Sequence, residues 1–168
     1  MRDTIARRSD VDKDSLKYDL EPGNQKYRNA TISFAAKKGQ SFDPKGLQAN
    51  LSATRLAKGT RSGVNYLEIT ALGEVIIGAK ETVLKVNGTA QPFVLGDDPK
   101  AKPPQAGKKT AHERLLEAVK NGAKIVSVTG RIRGWSGVWP TVLRDLKEPA
   151  QGEKRPVLIV TDFELAKL

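Results

Sequence analysis

The fold is decided by residues 66–95, YLEITALGEVIIGAKETVLKVNGTAQPFVL. Apolar and polar residues alternate through the first half of this stretch, which is the pattern of a strand with one buried face. We expect one long strand over residues 64–77, with Gly73 as a β-bulge. Its buried face consists of Leu67, Ile69, Ala71, Val75 and Ile77.

Two further strands follow in the same stretch. Residues 82–86 and 90–95 are rich in Val, Leu and Phe, and Asn87-Gly88 between them favours a type I′ hairpin turn. That turn requires positive φ angles, which Asn and Gly adopt more easily than other residues. The stretch therefore predicts three consecutive strands.

A helix and two more strands complete this half of the chain. Thr110 and Glu113 fit a capping box, because each side chain can bond the backbone amide of the other. Residues 124–133 and 156–164 alternate as the last two strands. The first of these buries Val126, Val128 and Ile132, and the second buries Val157, Ile159 and Phe163.

The N-terminal part has a different pattern. Residues 30–36 predict a strand, and residues 17–20 predict a weaker one across a Pro-Gly turn. Asp43 can cap a helix that begins at Pro44 and continues to about residue 57. This part therefore predicts a hairpin followed by a helix.

The second half of the chain contains two segments typical of the closing strands of small barrels. They are IVSVTGRI at residues 125–132 and VLIVTDFE at residues 157–164. The order strand, strand, strand, helix, strand, strand around them is similar to that of the OB-fold, a five-stranded Greek-key barrel. The resemblance implies a barrel with one helix between its third and fourth strands, and it identifies no ligand.

The segments of the first part occur in the order of a known bacterial domain. They are Val11-Asp12 after a helix end, the hairpin of residues 17–20 and 30–34, FDPKGL at residues 42–47, and residues 65–72 as a last strand. They resemble the heavy-metal-associated domain, a ferredoxin-like βαββαβ unit whose metal ligands form a Cys-x-x-Cys pair after its first strand. We expect the present chain to begin inside the first helix, so the unit either starts upstream or has lost its metal site.

Together these patterns predict an α+β protein. A chain of 168 residues is long enough for two small domains. We expect a partial ferredoxin-like unit at residues 1–63 and an OB-like β-barrel domain at residues 64–168.

The composition excludes several classes of site. The chain has no cysteine and one histidine, so it forms no disulfide and offers no thiolate to zinc, copper or a substrate. No apolar run is long enough to span a bilayer, and residues 1–10 lack the apolar segment of a secretory signal. We expect a cytoplasmic protein as written, or a periplasmic one if the true start lies upstream.

The net charge of +10 is concentrated in residues 99–168, which contain 14 Lys and Arg against 7 Asp and Glu. The connection between the last two strands combines such cations with both tryptophans of the chain. Aromatic rings beside cations suit the stacking of bases and the neutralisation of phosphates. The candidate contact residues are Arg131, Arg133, Trp135, Trp139, Arg144, Lys154 and Arg155.

The same connection also has a packing interpretation. A short helix at residues 140–147 would cover the barrel with an apolar face. That face would consist of Trp139, Val142, Leu143 and Leu146. The sequence favours this interpretation, because large aromatic side chains are more often packing groups than ligands.

No catalytic dyad, triad or nucleotide-binding fingerprint occurs in the sequence. His112 has no nucleophile or orienting partner nearby, so we interpret it as a surface histidine. We predict a non-catalytic accessory or binding protein related to heavy-metal-associated proteins, with no cofactor and no metal site. The alternative is an OB-like module that binds single-stranded nucleic acid through residues 131–155, and an acidic protein would be the other partner for such a basic segment.

The absence of cysteine generates a first prediction. The purified chain should bind Cu(I) and Zn(II) no more tightly than a basic, cysteine-free control protein, because tight sites need several nitrogen or sulfur ligands. A competition titration against a chromophoric chelator measures the affinity. Stoichiometric binding at micromolar or tighter affinity would contradict the prediction.

Overall fold

The chain divides into two units, Met1–Lys58 and Gly59–Leu168. The computed structural model describes residues 1–20, 30–53, 62–89, 91–97, 107–133, 137–139 and 155–166. The α+β class expected from the sequence is confirmed. The division falls slightly before the expected boundary at 63/64.

The N-terminal unit contains a two-stranded antiparallel sheet and two helices. In chain order they are α1 (Arg2–Ala6), β1 (Val11–Leu20), β2 (Ala30–Ala36) and α2 (Pro44–Ala53). The expected strand at residues 30–36 and the helix start at Pro44 are confirmed. β1 is longer than expected, because it also pairs with β2 at residues 11 and 12. The expected helix end near residue 57 lies outside the described residues.

An ion pair with little solvent exposure connects the end of α1, the start of β1 and the start of α2. Arg8 donates from Nε and Nη2 to the two carboxylate oxygens of Asp10, at 2.8 and 2.6 Å. Asp10 also accepts the backbone amide of Asp43 at 3.1 Å, and Arg8 donates to the Asn50 side chain. The apolar core of this unit consists of Ile5, Val11, Phe42, Leu47 and Leu51.

The pKa of Asp10 lies below its ordinary value. Burial alone would raise it, but the hydrogen bond from Arg8, the amide of Asp43 and the charge of Arg8 together outweigh that effect. Because the folded-state pKa is depressed, the ionised pair stabilises the unit at pH values above the unfolded-state pKa. This contribution is lost as the pH falls through the folded-state pKa.

The C-terminal unit combines strands with one helix. In chain order its described elements are β3 (Ser62–Val64), β4 (Glu68–Ile77), β5 (Thr82–Val86), β6 (Pro92–Gly96), α3 (Ala111–Lys120), β7 (Ile125–Ile132), β8 (Gly137–Trp139) and β9 (Val157–Leu165). The expected capping box is confirmed at the start of α3. Thr110 Oγ1 accepts the Glu113 amide at 3.2 Å, and the Glu113 carboxylate accepts the Thr110 amide at 2.8 Å.

The five long strands of this unit form one sheet that closes into a barrel. Their order is β4-β5-β6-β9-β7, and β7 pairs again with β4. All neighbours are antiparallel except β6 and β9, which are parallel. A parallel pair needs a crossover connection, and the segment that contains α3 and β7 supplies it. β3 and β8 pair separately as a short antiparallel ribbon.

The barrel core follows the alternation of the sequence in most strands. The face predicted for β7 is confirmed, and Ala71 and Val75 of β4 are buried as expected, whereas Ile77 at the strand end is exposed. The buried apolar residues of the unit are Ala71, Val75, Leu84, Phe93, Leu95, Leu115, Val126, Val128, Ile132, Val157, Leu158 and Val160. α3 contributes one of them, so the helix covers one part of the barrel.

Three expectations for the first long strand are wrong. Residues 64–77 do not form one strand, because β3 pairs with β8 while β4 pairs with β5 and β7. Residues 68–72 therefore belong to the barrel and are not the last strand of the N-terminal unit. Gly73 is not a bulge, since the register runs through it without a shift. A Cβ there would lie 2.2 Å from the Lys85 carbonyl oxygen, so close backbone approach explains the glycine.

The turn between β5 and β6 is not of type I′, which needs positive φ at both central residues. Gly88 has a φ of +73°, but no described residue other than glycine has a positive φ, and this includes Asn87. The amide of Asn87 instead donates to the Leu72 carbonyl at 2.9 Å. The turn is therefore hydrogen-bonded to β4 and does not adopt the type I′ geometry expected from the local sequence.

The last strand changes its buried face at an irregularity. The register between β7 and β9 shifts next to Gly130. Leu158 and Val160 are buried before the shift, while Ile159 pairs with the exposed residue Arg131. The expectation that Ile159 faces the core is therefore wrong, because one extra residue in a strand reverses its alternation.

The Arg8–Asp10 pair predicts the acid sensitivity of the N-terminal unit. Asp10→Asn should lower the free energy of unfolding near neutral pH and reduce its further fall in acid, because the amide does not titrate. Denaturation followed by circular dichroism at several pH values measures both effects. Asp19→Asn is the control, since Asp19 is an exposed aspartate on β1, the strand that begins directly after Asp10. Identical pH slopes for the wild type and Asp10→Asn would refute the role of the pair.

The close approach at Gly73 predicts a second stability effect. Gly73→Ala should destabilise the C-terminal unit by about 1–3 kcal/mol, the usual cost of forcing atoms into a packed site. Glu74→Ala, at the adjacent exposed position, should change stability by no more than about 0.5 kcal/mol. Thermal unfolding of the two variants tests the difference, and equal melting temperatures would show that the backbone has room at Gly73.

Candidate functional site

Three of the seven candidate contact residues have described side chains. Arg131 lies near the end of β7, Arg133 directly follows that strand, and Arg155 precedes β9. All three side chains are exposed. These three cations therefore lie at the surface of the C-terminal unit, and their role in ligand contact stays a prediction.

The other four candidates lie in a segment that is described only in part. Trp135, Arg144 and Lys154 are outside the described residues, as is the expected helix at residues 140–147. The backbone of Trp139 forms part of β8 and pairs with β3. Its role in packing or in ligand contact stays a prediction.

Arg131 is the centre of an aromatic and charged cluster on the outer face of the barrel. Its Cζ lies 4.1 Å from the centroid of the Tyr66 ring, so the guanidinium covers the ring. Its Nε donates to Glu68 Oε2 at 3.4 Å. The Tyr66 residue is 47 % exposed, and the side chains of Arg131 and Glu68 are 53 % and 42 % exposed. We call these three residues the outer cluster.

The strand register explains the position of the outer cluster. Arg131 pairs with Glu68 of β4 and with Ile159 of β9, and Ile159 pairs with Gly96 of β6. Cross-strand partners project to the same side of a sheet, so these residues form one row across the outer surface. A Cβ at Gly96 would lie 3.5 Å from Arg133 Nη2 and 3.3 Å from Ile159, so the glycine leaves room for both side chains.

A second exposed ion pair lies at the β4–β5 turn. Arg155 donates from Nη1 to Glu81 Oε1 at 2.8 Å, and both side chains are about half exposed. Exposed ion pairs of this kind contribute only about 0–1 kcal/mol, because water solvates both partners well. An anionic ligand can therefore replace Glu81, or Glu68 in the outer cluster, at little cost.

The single histidine lies at the start of α3. Thr110, the cap of this helix, donates to Asp97 Oδ2 at 2.9 Å. His112 is partly buried, and its Nε2 is shielded from solvent without a hydrogen-bond partner in the described part of the chain. The histidine is therefore less exposed than the sequence suggested. Among the described residues, no group of three or more His, Asp or Glu side chains is arranged to hold a metal ion.

Sequence reasoning missed two members of the outer cluster, Tyr66 and Glu68. Glu68 and Arg131 are separated by 63 residues, so no local motif connects them. One signal was available, because both residues lie on the polar faces of their predicted strands. That signal becomes specific only when the pairing of those two strands is known.

Comparisons with known proteins identify no relative. No protein-family model, no curated protein and no solved structure gives a significant match to this chain. None of the helices in the described ranges is long and apolar enough to cross a membrane.

Proposed function

We propose that this chain is a non-catalytic binding protein in which an OB-like barrel carries the ligand surface. The observation behind the proposal is the closed order β4-β5-β6-β9-β7, with α3 between the third and fourth barrel strands. OB-folds have this order of elements. They bind oligonucleotides or oligosaccharides on the face of their second and third strands and on two loops, one of which connects the fourth and fifth strands and here begins next to Arg131. Apolar side chains fill the interior of the barrel, so a ligand has to bind outside it.

The N-terminal unit supports a relation to heavy-metal-associated domains. Its order α1-β1-β2-α2, with antiparallel strands, is that of the middle of a βαββαβ unit. The cysteine ligands of that family have no counterpart in this chain, which contains no cysteine. We therefore assign no metal to this unit and assign the binding role to the barrel.

Single-stranded nucleic acid is the ligand that the outer cluster favours. Arg131 covers one face of the half-exposed Tyr66 ring, so a base would stack on the other face, and the guanidinium supplies a cation for the adjacent phosphate. The net charge of +10 attracts a polyanion from a distance. An acidic protein would use the charge but would gain nothing from the stacked ring, so the cluster favours nucleic acid over it.

Glu68 lowers the affinity for nucleic acid in this proposal, because it competes for Arg131. Its carboxylate accepts a hydrogen bond from Arg131 in the free protein. A phosphate has to compete with it for the same guanidinium. Because the pair is exposed, the competition lowers the affinity without preventing binding.

The proposal predicts binding of a fluorescein-labelled oligothymidylate that weakens steeply with salt, because bound phosphates release their counterions. Tyr66→Ala should weaken binding by about 1–3 kcal/mol, the range for one base stacked on an aromatic ring. Glu68→Gln should strengthen binding, since it removes the competing charge. Fluorescence anisotropy at several salt concentrations measures all three effects.

Tyr18→Ala is the matched control for the stacking variant. Tyr18 is 44 % exposed on the N-terminal unit, close to the value for Tyr66. We expect its replacement to leave the affinity unchanged. Equal losses in the two tyrosine variants, binding that is insensitive to salt, or no binding at low salt would each overturn the assignment of nucleic acid as ligand.

A further inference from the structure

The sheet of the N-terminal unit has one edge strand without the usual protection against pairing. β1 has an irregular register and carries many charges. Its charged residues are Asp12, Lys13, Asp14, Lys17 and Asp19. β2 has the sequence ATISFAA, with no charge and no proline, and among the described strands it pairs only with β1. Natural edge strands normally use charges, prolines or bulges to prevent pairing with another chain, and β2 lacks charges and prolines.

The backbone hydrogen bonds indicate which groups of β2 face its open edge. The amides of Ala35 and Lys37 donate toward β1, to Ser15 Oγ at 2.7 Å and to the Asp10 carbonyl at 2.9 Å. Alternate residues of a strand direct their amides and carbonyls to opposite sides. The residues whose backbone groups face the open edge are therefore Ala30, Ile32, Phe34 and Ala36.

These groups form a self-complementary edge. We propose that a second copy of this chain pairs antiparallel along β2, with Ser33 of both copies on the two-fold axis. Ile32 then lies opposite Phe34 of the second copy, on the same face of the sheet, and their backbone groups meet as hydrogen-bonded pairs. The two hairpins join into one four-stranded sheet. This interface is separate from the outer cluster and does not rest on the proposed function.

The apolar face of this sheet, to which Tyr18 and Leu20 of β1 contribute, supports a second copy of the chain as the occupant. Tyr18 and Leu20 are 44 % and 54 % exposed, and they pair with Ile32 and Ala30, so all four lie on one face of the sheet. A two-stranded sheet is only marginally stable by itself, whereas a sheet of four strands with a common apolar face is more stable. The second copy extends this face. In the proposed register, Ile32 of each copy lies opposite Phe34 of the other copy.

Cysteine substitutions test the register, because the chain has no cysteine of its own. Ser33→Cys brings two thiols together at a non-hydrogen-bonded pair, where the Cα atoms are about 4.5 Å apart and a disulfide fits. Thr31→Cys is the control, since its thiol would face Ala35 of the second copy. Both native residues are exposed, so the hairpin tolerates the changes. Under mild oxidation the full chain with Ser33→Cys should double its mass on a non-reducing gel, and Thr31→Cys should not.

Sedimentation of the unmodified chain provides the second measurement. The mass should rise from 18.3 kDa to twice that value between micromolar and millimolar protein. Ser33→Lys places like charges opposite each other and should abolish the dimer, whereas Thr31→Lys adds the same charge opposite an alanine and should retain it. A chain that stays monomeric, a dimer that survives Ser33→Lys, or equal cross-linking of the two cysteine variants would overturn the proposal.

Discussion

The pairing of β4 with β7 is the constraint on which the C-terminal unit depends. β4 pairs with β5 along one side and with β7 along the other, so the barrel sheet has no open edge. The pairing brings Ala71 opposite Val128 inside the barrel, where both are buried. It also leaves no space for a side chain at Gly73, beside the Lys85 carbonyl. The core and the outer surface of the unit both follow from this closure.

The candidate site is a second consequence of the same pairing. The register that opposes Ala71 and Val128 also opposes Glu68 and Arg131 on the outer face. A slip of one residue would turn Arg131 toward the core, because successive side chains of a strand point to opposite faces. The contact of Arg131 with Tyr66 therefore belongs to the closed sheet and not to any local motif.

The strands of the N-terminal unit do not form a closed sheet like that of the barrel. Its two-stranded sheet keeps open edges among the described residues, and a small apolar core with the Arg8–Asp10 pair holds its helices and strands together. Closure removes edges in the barrel, whereas β1 carries protective charges and the sequence of β2 contains no charge and no proline. The described strands of the chain thus form a barrel sheet that is closed and an N-terminal sheet that is not.

The sequence by itself determined the types and approximate positions of most elements. The buried position of Val128 and the cap at Thr110 depend on periodicity and on hydrogen bonds between residues close in the chain, so local patterns predicted them. The pairing of Ile159 with Arg131 and the contact of Tyr66 with Arg131 were not predictable in this way. Only the tertiary structure decided them, because they depend on which distant strands pair, and in which register.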